Sequence, residues 1–202
     1  MTTPKFIIAL LAFSLLTSCS RTYRLSEDDL KWMPYKGNEI LVFNSNTGDT
    51  DTIFFLKKHI EIADADIYSP WSDKYELVSI FCKHTDPWPP DGRHRYLENY
   101  FMTLTKSKDG KARLEIKFSA KDANFYKLHG TRIDSLDMVR PTTLATKYKT
   151  YKDVYIIEDE DWLNFKQRGD YITKAYWSKS EGLIRYDKQD GVYWELTKKY
   201  SP

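Results

Sequence analysis

Hydrophobic and polar residues alternate along much of the chain, and the cleanest example runs from residue 111 to residue 118. Ala112, Leu114, Ile116 and Phe118 alternate there with four charged residues. A period of two places the apolar side chains on one face of a strand and the charged ones on the other. The segment is therefore predicted to be a half-buried β-strand.

Turn sequences between neighbouring apolar segments predict three β-hairpins. Asp109-Gly110 separates the strand at 111–118 from an upstream strand around Met102. Aspartate followed by glycine is a strong hairpin signal, because glycine adopts the positive φ that tight hairpin turns require. The other two hairpins are predicted around Asn46-Thr47-Gly48-Asp49, between strands 40–43 and 53–56, and around Asp190-Gly191, between strands 183–186 and 192–196.

The remaining segments add strands and little helix. Ser26, followed by three acidic residues, has the pattern of a helix start, and Trp162 with Gly169 permits a second short helix. We predict one antiparallel sheet domain, curved into a half-barrel or folded as a sandwich, with one or two short helices; the alternative is the α+β class. Further strands are predicted at 75–83, 154–157 and 172–177.

The first twenty residues differ, because an apolar run replaces the alternation. Lys5 precedes the apolar run 6–16, which ends in Leu16-Thr17-Ser18-Cys19. The run fits the ~7 to 15 residues of the apolar part of an export signal and falls short of the ~20 residues that span a bilayer. Its last four residues resemble the lipobox of bacterial lipoproteins. This resemblance implies cleavage between Ser18 and Cys19, with diacylglycerol on the Cys19 sulfur.

The lipobox resemblance also implies three parts of the chain and one partner. They are a signal peptide at 1–18, a lipidated tether at 19–25 and a globular domain at 26–202. More than one acyl chain makes membrane attachment stable. Ser20, in place of the aspartate that retains enteric lipoproteins at the inner membrane, favours the outer membrane, and the polar residues after it favour the periplasmic face.

Two further segments resemble uncharacterised exported proteins of Bacteroidota. Tyr176-Trp177-Ser178-Lys179 and Trp194-Glu195-Leu196 are similar to the C-terminal part of that group. Residues 25–53 look like the opening of small flavobacterial-type lipoproteins. The resemblance implies a location in the cell envelope. It transfers no active-site residue, because the group has no assigned activity.

The charge composition argues against nucleic acid as a partner. The chain has 31 basic and 29 acidic residues and a formal net charge of +2. Such a balance creates no strong field that would attract a nucleic acid or an anionic membrane surface. The lipid is therefore the predicted contact with the membrane.

Candidate ligand-binding chemistry is limited to two places. Prolines on both sides restrict the backbone around Trp88, which is a candidate to stack on a sugar ring or a partner; alternatively, Trp88 packs back over a sheet edge. Cys82 and His84 share a strand face and could begin a metal site, but no second Cys or His stands near them. We expect Cys82 to be a buried thiol, and we predict no metal and no cofactor.

The sequence identifies no catalytic residue. It contains no nucleophile elbow, no His-Glu-x-x-His motif and no glycine-rich phosphate loop. We expect a membrane-anchored lipoprotein with a non-enzymatic binding or envelope-accessory role, whose ligand is a hydrophobic molecule, a glycan or a protein. One alternative is a hydrolase of envelope glycans or peptides, which a pocket with two carboxylates would favour. The other is a structural assembly factor, which an exposed apolar patch would favour.

Overall fold

The computed structural model is mostly β, with one antiparallel sheet that curls into a half-barrel and two short helices. The predicted half-barrel is therefore confirmed, and neither the sandwich nor the α+β arrangement is formed. The structure describes residues 20–66, 68–69, 72–84, 99–120, 123–126, 130–158, 165–169 and 171–201.

The strands and helices follow one another as in this sequence of elements. They are β1 (Thr22–Tyr23), α1 (Glu27–Leu30), β2 (Ile40–Ser45), β3 (Thr50–Phe55), β4 (His59–Asp64), β5 (Lys74–His84), β6 (Asn99–Lys106), β7 (Ala112–Ala120), β8 (Ala123–Tyr126), β9 (Thr131–Arg132), α2 (Ile133–Asp137), β10 (Thr142–Ala145), β11 (Thr150–Glu158), a 3-10 helix (Phe165–Gln167), β12 (Ile172–Ser178), β13 (Gly182–Lys188) and β14 (Tyr193–Tyr200).

All three predicted hairpins are confirmed. They are β2–β3, β6–β7 and β13–β14, and each pair is antiparallel. The turn glycines Gly48, Gly110 and Gly191 have positive φ values of 98°, 74° and 84°. An L side chain rarely adopts such a backbone, which explains why glycine marks these turns in the sequence.

Pairing between distant strands joins the hairpins into one sheet. The order is β10-β11-β12-β13-β14-β2-β3-β5-β6-β7-β8. The central contact is between β14 and β2, where Leu196 lies opposite Phe43. The sheet is therefore more than a meander of neighbouring hairpins, because its C-terminal strand pairs with its first long strand.

An N-terminal segment, residues 25–39, packs inside the curl of the sheet, and we call it the N-terminal plug. Its helix α1 begins with a capping box, in which Ser26 and Asp29 exchange hydrogen bonds between side chains and backbone. Trp32 and Tyr35 are fully buried. The ring of Tyr35 lies 4.6 Å from that of Phe55 on β3 and 5.8 Å from that of Trp177 on β12. The plug therefore connects the two halves of the sheet.

The short polar stretch that the sequence marks as a tether is partly taken into the sheet. Thr22 and Tyr23 form β1, which pairs in parallel with Lys74 and Tyr75 at the start of β5. The backbone N–H of Leu25 donates to the Glu76 carboxylate over 2.9 Å. The chain is consequently fixed to the domain from residue 21 onwards, which leaves a shorter tether than the sequence suggested.

Cys82 belongs to the core, as expected. Its side chain is fully buried on β5, and its thiol is free of any disulfide. Burial, with a further contribution from the charge of Asp51, raises the pKa of Cys82 to about 12. The thiol is therefore protonated at physiological pH and unreactive, as is typical of a core cysteine.

Candidate functional site: a lysine-lined cleft

The hairpin of β10 and β11 carries one wall of a surface cleft. Its turn, residues 146–149, leans across the sheet towards β14 and β2. The backbone N–H of Lys147 donates to the Glu195 carboxylate over 3.2 Å, and the Asn44 amide donates to the Tyr148 hydroxyl over 3.3 Å. These two hydrogen bonds hold the turn above the end of β14.

The cleft lies between this turn and the last residues of β14. It has a volume of about 440 Å³. We call it the lysine cleft and define it by six of the residues that line it: Tyr148, Lys149, Tyr151, Glu181, Lys198 and Lys199. Three lysines and one carboxylate give the lining a net positive charge, in a protein whose overall charge is nearly balanced.

Glu181 forms the centre of the charge network. Its carboxylate lies 2.6 Å from the Lys149 ammonium and 3.5 Å from that of Lys199. Burial acts to raise the pKa of Glu181, but the hydrogen bond from Lys149 and the charge of Lys199 outweigh it, so that the pKa is lowered. The hydrogen bond to Glu181 raises the pKa of Lys149. All three groups are therefore charged at neutral pH.

Aromatic rings support two of the lysines from below. The Lys149 ammonium lies 5.1 Å from the centroid of the Tyr151 ring, and that of Lys199 lies 5.1 Å from the Tyr35 ring. Both distances are within the range of cation–π attraction. Tyr148 is about half exposed, so its ring offers a flat apolar surface beside the charged groups.

This arrangement is suited to binding an anion. General acid catalysis requires a group that is protonated at the working pH, and the lowered pKa of Glu181 keeps this carboxylate ionised. Two carboxylates within reach of each other, which glycoside hydrolysis requires, are not found in the lining, where Glu181 is the single acidic residue. The excess of ammonium groups instead favours a negatively charged ligand.

The residues that the sequence singled out do not meet at this cleft. Ser18, Cys19 and Trp88 lie outside the described residues, as do the predicted helix residue Trp162 and the signal peptide at 1–18. Cys82 is in the core. Within the described part of the chain, no three His, Cys, Asp or Glu side chains group together to hold a metal ion.

Sequence reasoning missed the lysine cleft. Its residues come from the β10–β11 turn, the β12–β13 turn and the end of β14, with no characteristic spacing between them. The local signal is weak, because Lys147-Tyr148-Lys149 and Lys198-Lys199-Tyr200 look like ordinary solvated segments. Only the pairing of distant strands brings these segments together.

Comparisons with known proteins add no relative. The chain matches no protein-family model, no curated protein and no solved structure. Of the helices in the described part of the chain, none combines the length and the apolar character needed to cross a bilayer. The lysine cleft and the N-terminal motif are the two features on which a functional proposal can be built.

Proposed function

We propose that this protein is a lipid-anchored, non-enzymatic binding protein of the bacterial cell envelope, which captures an acidic ligand in the lysine cleft. Cys19 carries the lipid, and the outer membrane, on its periplasmic face, is the proposed location. The acidic ligand is a glycan that bears carboxylate groups. The observation that carries the binding role is the convergence of Lys149, Lys198 and Lys199 on one carboxylate.

The anchor is supported by the N-terminal pattern. Lys5, the apolar run 6–16 and the final Leu16-Thr17-Ser18-Cys19 combine the charge, length and small residues of a lipoprotein signal. Mass spectrometry of the mature protein from envelopes tests this part directly. A mature chain that begins at Cys19 with acyl groups is expected, and an unmodified Cys19 sulfur would exclude the anchor.

A glycan with carboxylates matches the chemistry of the cleft. Its acidic groups can replace water around Lys198 and share the ammonium groups that Glu181 now occupies. Its sugar ring can stack on the half-exposed ring of Tyr148, since aromatic side chains present a large apolar face. The volume of about 440 Å³ lies within the range of small-molecule sites.

The cleft is tested by calorimetric titration with oligomers of galacturonic acid and with neutral galactose oligomers of equal length. We expect the acidic oligomer alone to bind, and binding to weaken as the salt concentration rises. Lys198→Gln should weaken binding by about tenfold, which corresponds to about 1.4 kcal/mol.

Lys152→Gln is the matched control, because Lys152 is an exposed lysine of β11 that does not line the cleft. It should bind the acidic oligomer as the unmodified protein does. Equal binding of neutral and acidic oligomers, or an equal effect of the two substitutions, would refute the proposed ligand class.

A further inference from the structure

The first ordered residues of the domain are fixed beside the start of β5. The Arg21 backbone N–H donates to the Asp73 carboxylate over 3.1 Å, and the Arg21 carbonyl accepts from the Lys74 N–H over 2.7 Å. Tyr23 lies opposite Tyr75, and the two rings stack with centroids 5.5 Å apart. The position at which the chain enters the domain is therefore defined by backbone and side-chain contacts.

This entry point places the proposed anchor close to one end of the sheet. Cys19 precedes Arg21 by two residues, which reach about 7 Å when fully extended. The glycerol group on the Cys19 sulfur must therefore lie near the Lys74 end of β5. A short tether of this kind restricts how the domain can turn relative to the bilayer.

Apolar side chains are exposed at this same end of the molecule. Ile60 and Ile62 on β4 are 61% and 40% exposed, and Tyr68 in the loop between β4 and β5 is 89% exposed. In the register of the two strands, Asp64 pairs with Lys74, so Ile62 is two residues from the entry point. We call Ile60, Ile62 and Tyr68 the anchor-side patch.

The chemistry of the patch fits the interfacial region of a bilayer. Tyrosine is enriched where membrane meets water, because its ring is apolar and its hydroxyl is polar. Each isoleucine side chain gains about 1.5–3 kcal/mol when it passes completely from water into an apolar environment. The polar neighbours Glu61 and Asp64 alternate with the isoleucines along β4 and can remain among the headgroups.

We propose that the anchor-side patch lies against the bilayer next to the acyl chains and so fixes the orientation of the domain. This proposal rests on the lipid anchor at Cys19. It places the turn between β2 and β3 away from the membrane, because Ile53 pairs with His84 at the opposite end of β5 from Lys74. Three apolar side chains and a lipid thus act together as one membrane contact.

The experiment uses full-length lipidated protein in vesicles of phosphatidylethanolamine and phosphatidylglycerol that contain lipids with nitroxide-labelled chains. A fluorophore is attached in turn to Ile62→Cys, Tyr68→Cys and Ile156→Cys. The last is the matched control, an exposed isoleucine of β11, which is distant from β4 in the sheet order. Cys82 does not compete for the label, since it is fully buried.

We expect the fluorophores at positions 62 and 68 to lose most of their emission and the fluorophore at 156 to keep it. Equal emission at all three positions, in protein that still floats with the vesicles, would overturn the patch and leave the anchor intact. Protein that fails to float would overturn the anchor and the patch together. Shielding of position 62 in intact envelopes but not in pure lipid vesicles would show that a protein covers the patch, and would also refute the proposal.

Discussion

β3 and β4 have similar sequence patterns and opposite fates in the fold. β4 reads His-Ile-Glu-Ile-Ala-Asp, which is the more regular alternation, yet five of its six residues are exposed. β3 buries Asp51, Ile53 and Phe55 almost completely. Both strands pair with β5. Alternation therefore predicts a strand, whereas burial depends on what covers the strand.

The difference arises from the neighbours of each strand. β3 lies between β2 and β5, and Phe55 at its end packs against the Tyr35 ring of the N-terminal plug. Among the described strands, β4 pairs with β5 alone. A strand with one neighbour keeps a large part of its surface, which is why the isoleucines of β4 are available for an external contact.

The strongest test of this comparison removes the space that the plug occupies. Gly182 has φ +91°, and a Cβ atom added there would lie 2.0 Å from the Tyr35 hydroxyl oxygen. Gly182→Ala combines backbone strain with overpacking, and we expect it to destabilise the protein by about 4 kcal/mol. Urea denaturation measures the change.

Gly191→Ala is the control for Gly182→Ala. Gly191 has a similar φ of +84°, but no atom lies within 4 Å of an added Cβ. The strain alone should cost about 1 kcal/mol. Equal losses at both positions would mean that the plug tolerates displacement and does not account for the burial of β3.

The second test compares the two strands directly. Ile53→Ala on β3 removes a fully buried side chain and should cost about 3 kcal/mol, because a cavity is left. Ile60→Ala on β4 removes a side chain that is 61% exposed and should change the free energy of unfolding by less than about 0.5 kcal/mol. A similar cost for both would show that β4 is covered in solution, against the comparison.

The third test examines the hydrogen bond that fixes the plug. The Leu183 N–H donates to the Tyr35 hydroxyl over 2.7 Å in a fully buried position. Tyr35→Phe leaves this donor without its partner, and we expect a loss of about 2 kcal/mol in urea denaturation. Tyr148→Phe, which removes an exposed hydroxyl, should cost less than about 0.5 kcal/mol. A neutral Tyr35→Phe substitution would show that water satisfies the Leu183 N–H.

The smallest effect is expected at the rim, in the lysine cleft. The pKa of Glu181 is lowered in the folded protein from its ordinary value of 4.5. Its stabilising contribution is therefore present at neutral pH and is lost as the pH falls through the folded pKa. Glu181→Gln should lower the free energy of unfolding by less than about 1 kcal/mol at pH 7, and the loss should disappear as the pH approaches 3.

Denaturation at both pH values measures this contribution, with Glu61→Gln on β4 as the exposed control. Glu61 is about half exposed beside His59, so its substitution should have no measurable effect at pH 7. A loss at Glu181 that persists unchanged at pH 3 would contradict the ion-pair explanation and indicate a packing role.

Local signals made much of the β structure predictable. Asp109-Gly110 and Asp190-Gly191 each mark a hairpin because the glycines supply the positive φ of the turn. Ser26 starts α1 because its hydroxyl satisfies a backbone donor that the helix leaves open. The strand β4 was missed, although His59–Asp64 alternates, since it carries no turn signal of its own.

The candidate site was not predictable from local signals. Lys149, Glu181 and Lys199 are separated by long stretches of chain, and each is an unremarkable charged residue in its own segment. Their mutual geometry follows from the β10–β11 turn reaching the end of β14. The tether was overestimated for the same reason, because the pairing of Tyr23 with Tyr75 joins residues that are distant in the sequence.

The sequence by itself determined the strands, the three hairpin turns, the helix cap at Ser26 and the apolar N-terminal run that ends at Cys19. These features depend on backbone conformation, side-chain period and chain composition, which act over a few residues. The tertiary structure decided that β14 pairs with β2, that Tyr35 fills the curl of the sheet, and that three lysines share one cleft. Backbone hydrogen bonds are alike for any two strands, so the choice of partner is made by the packing of the whole sheet.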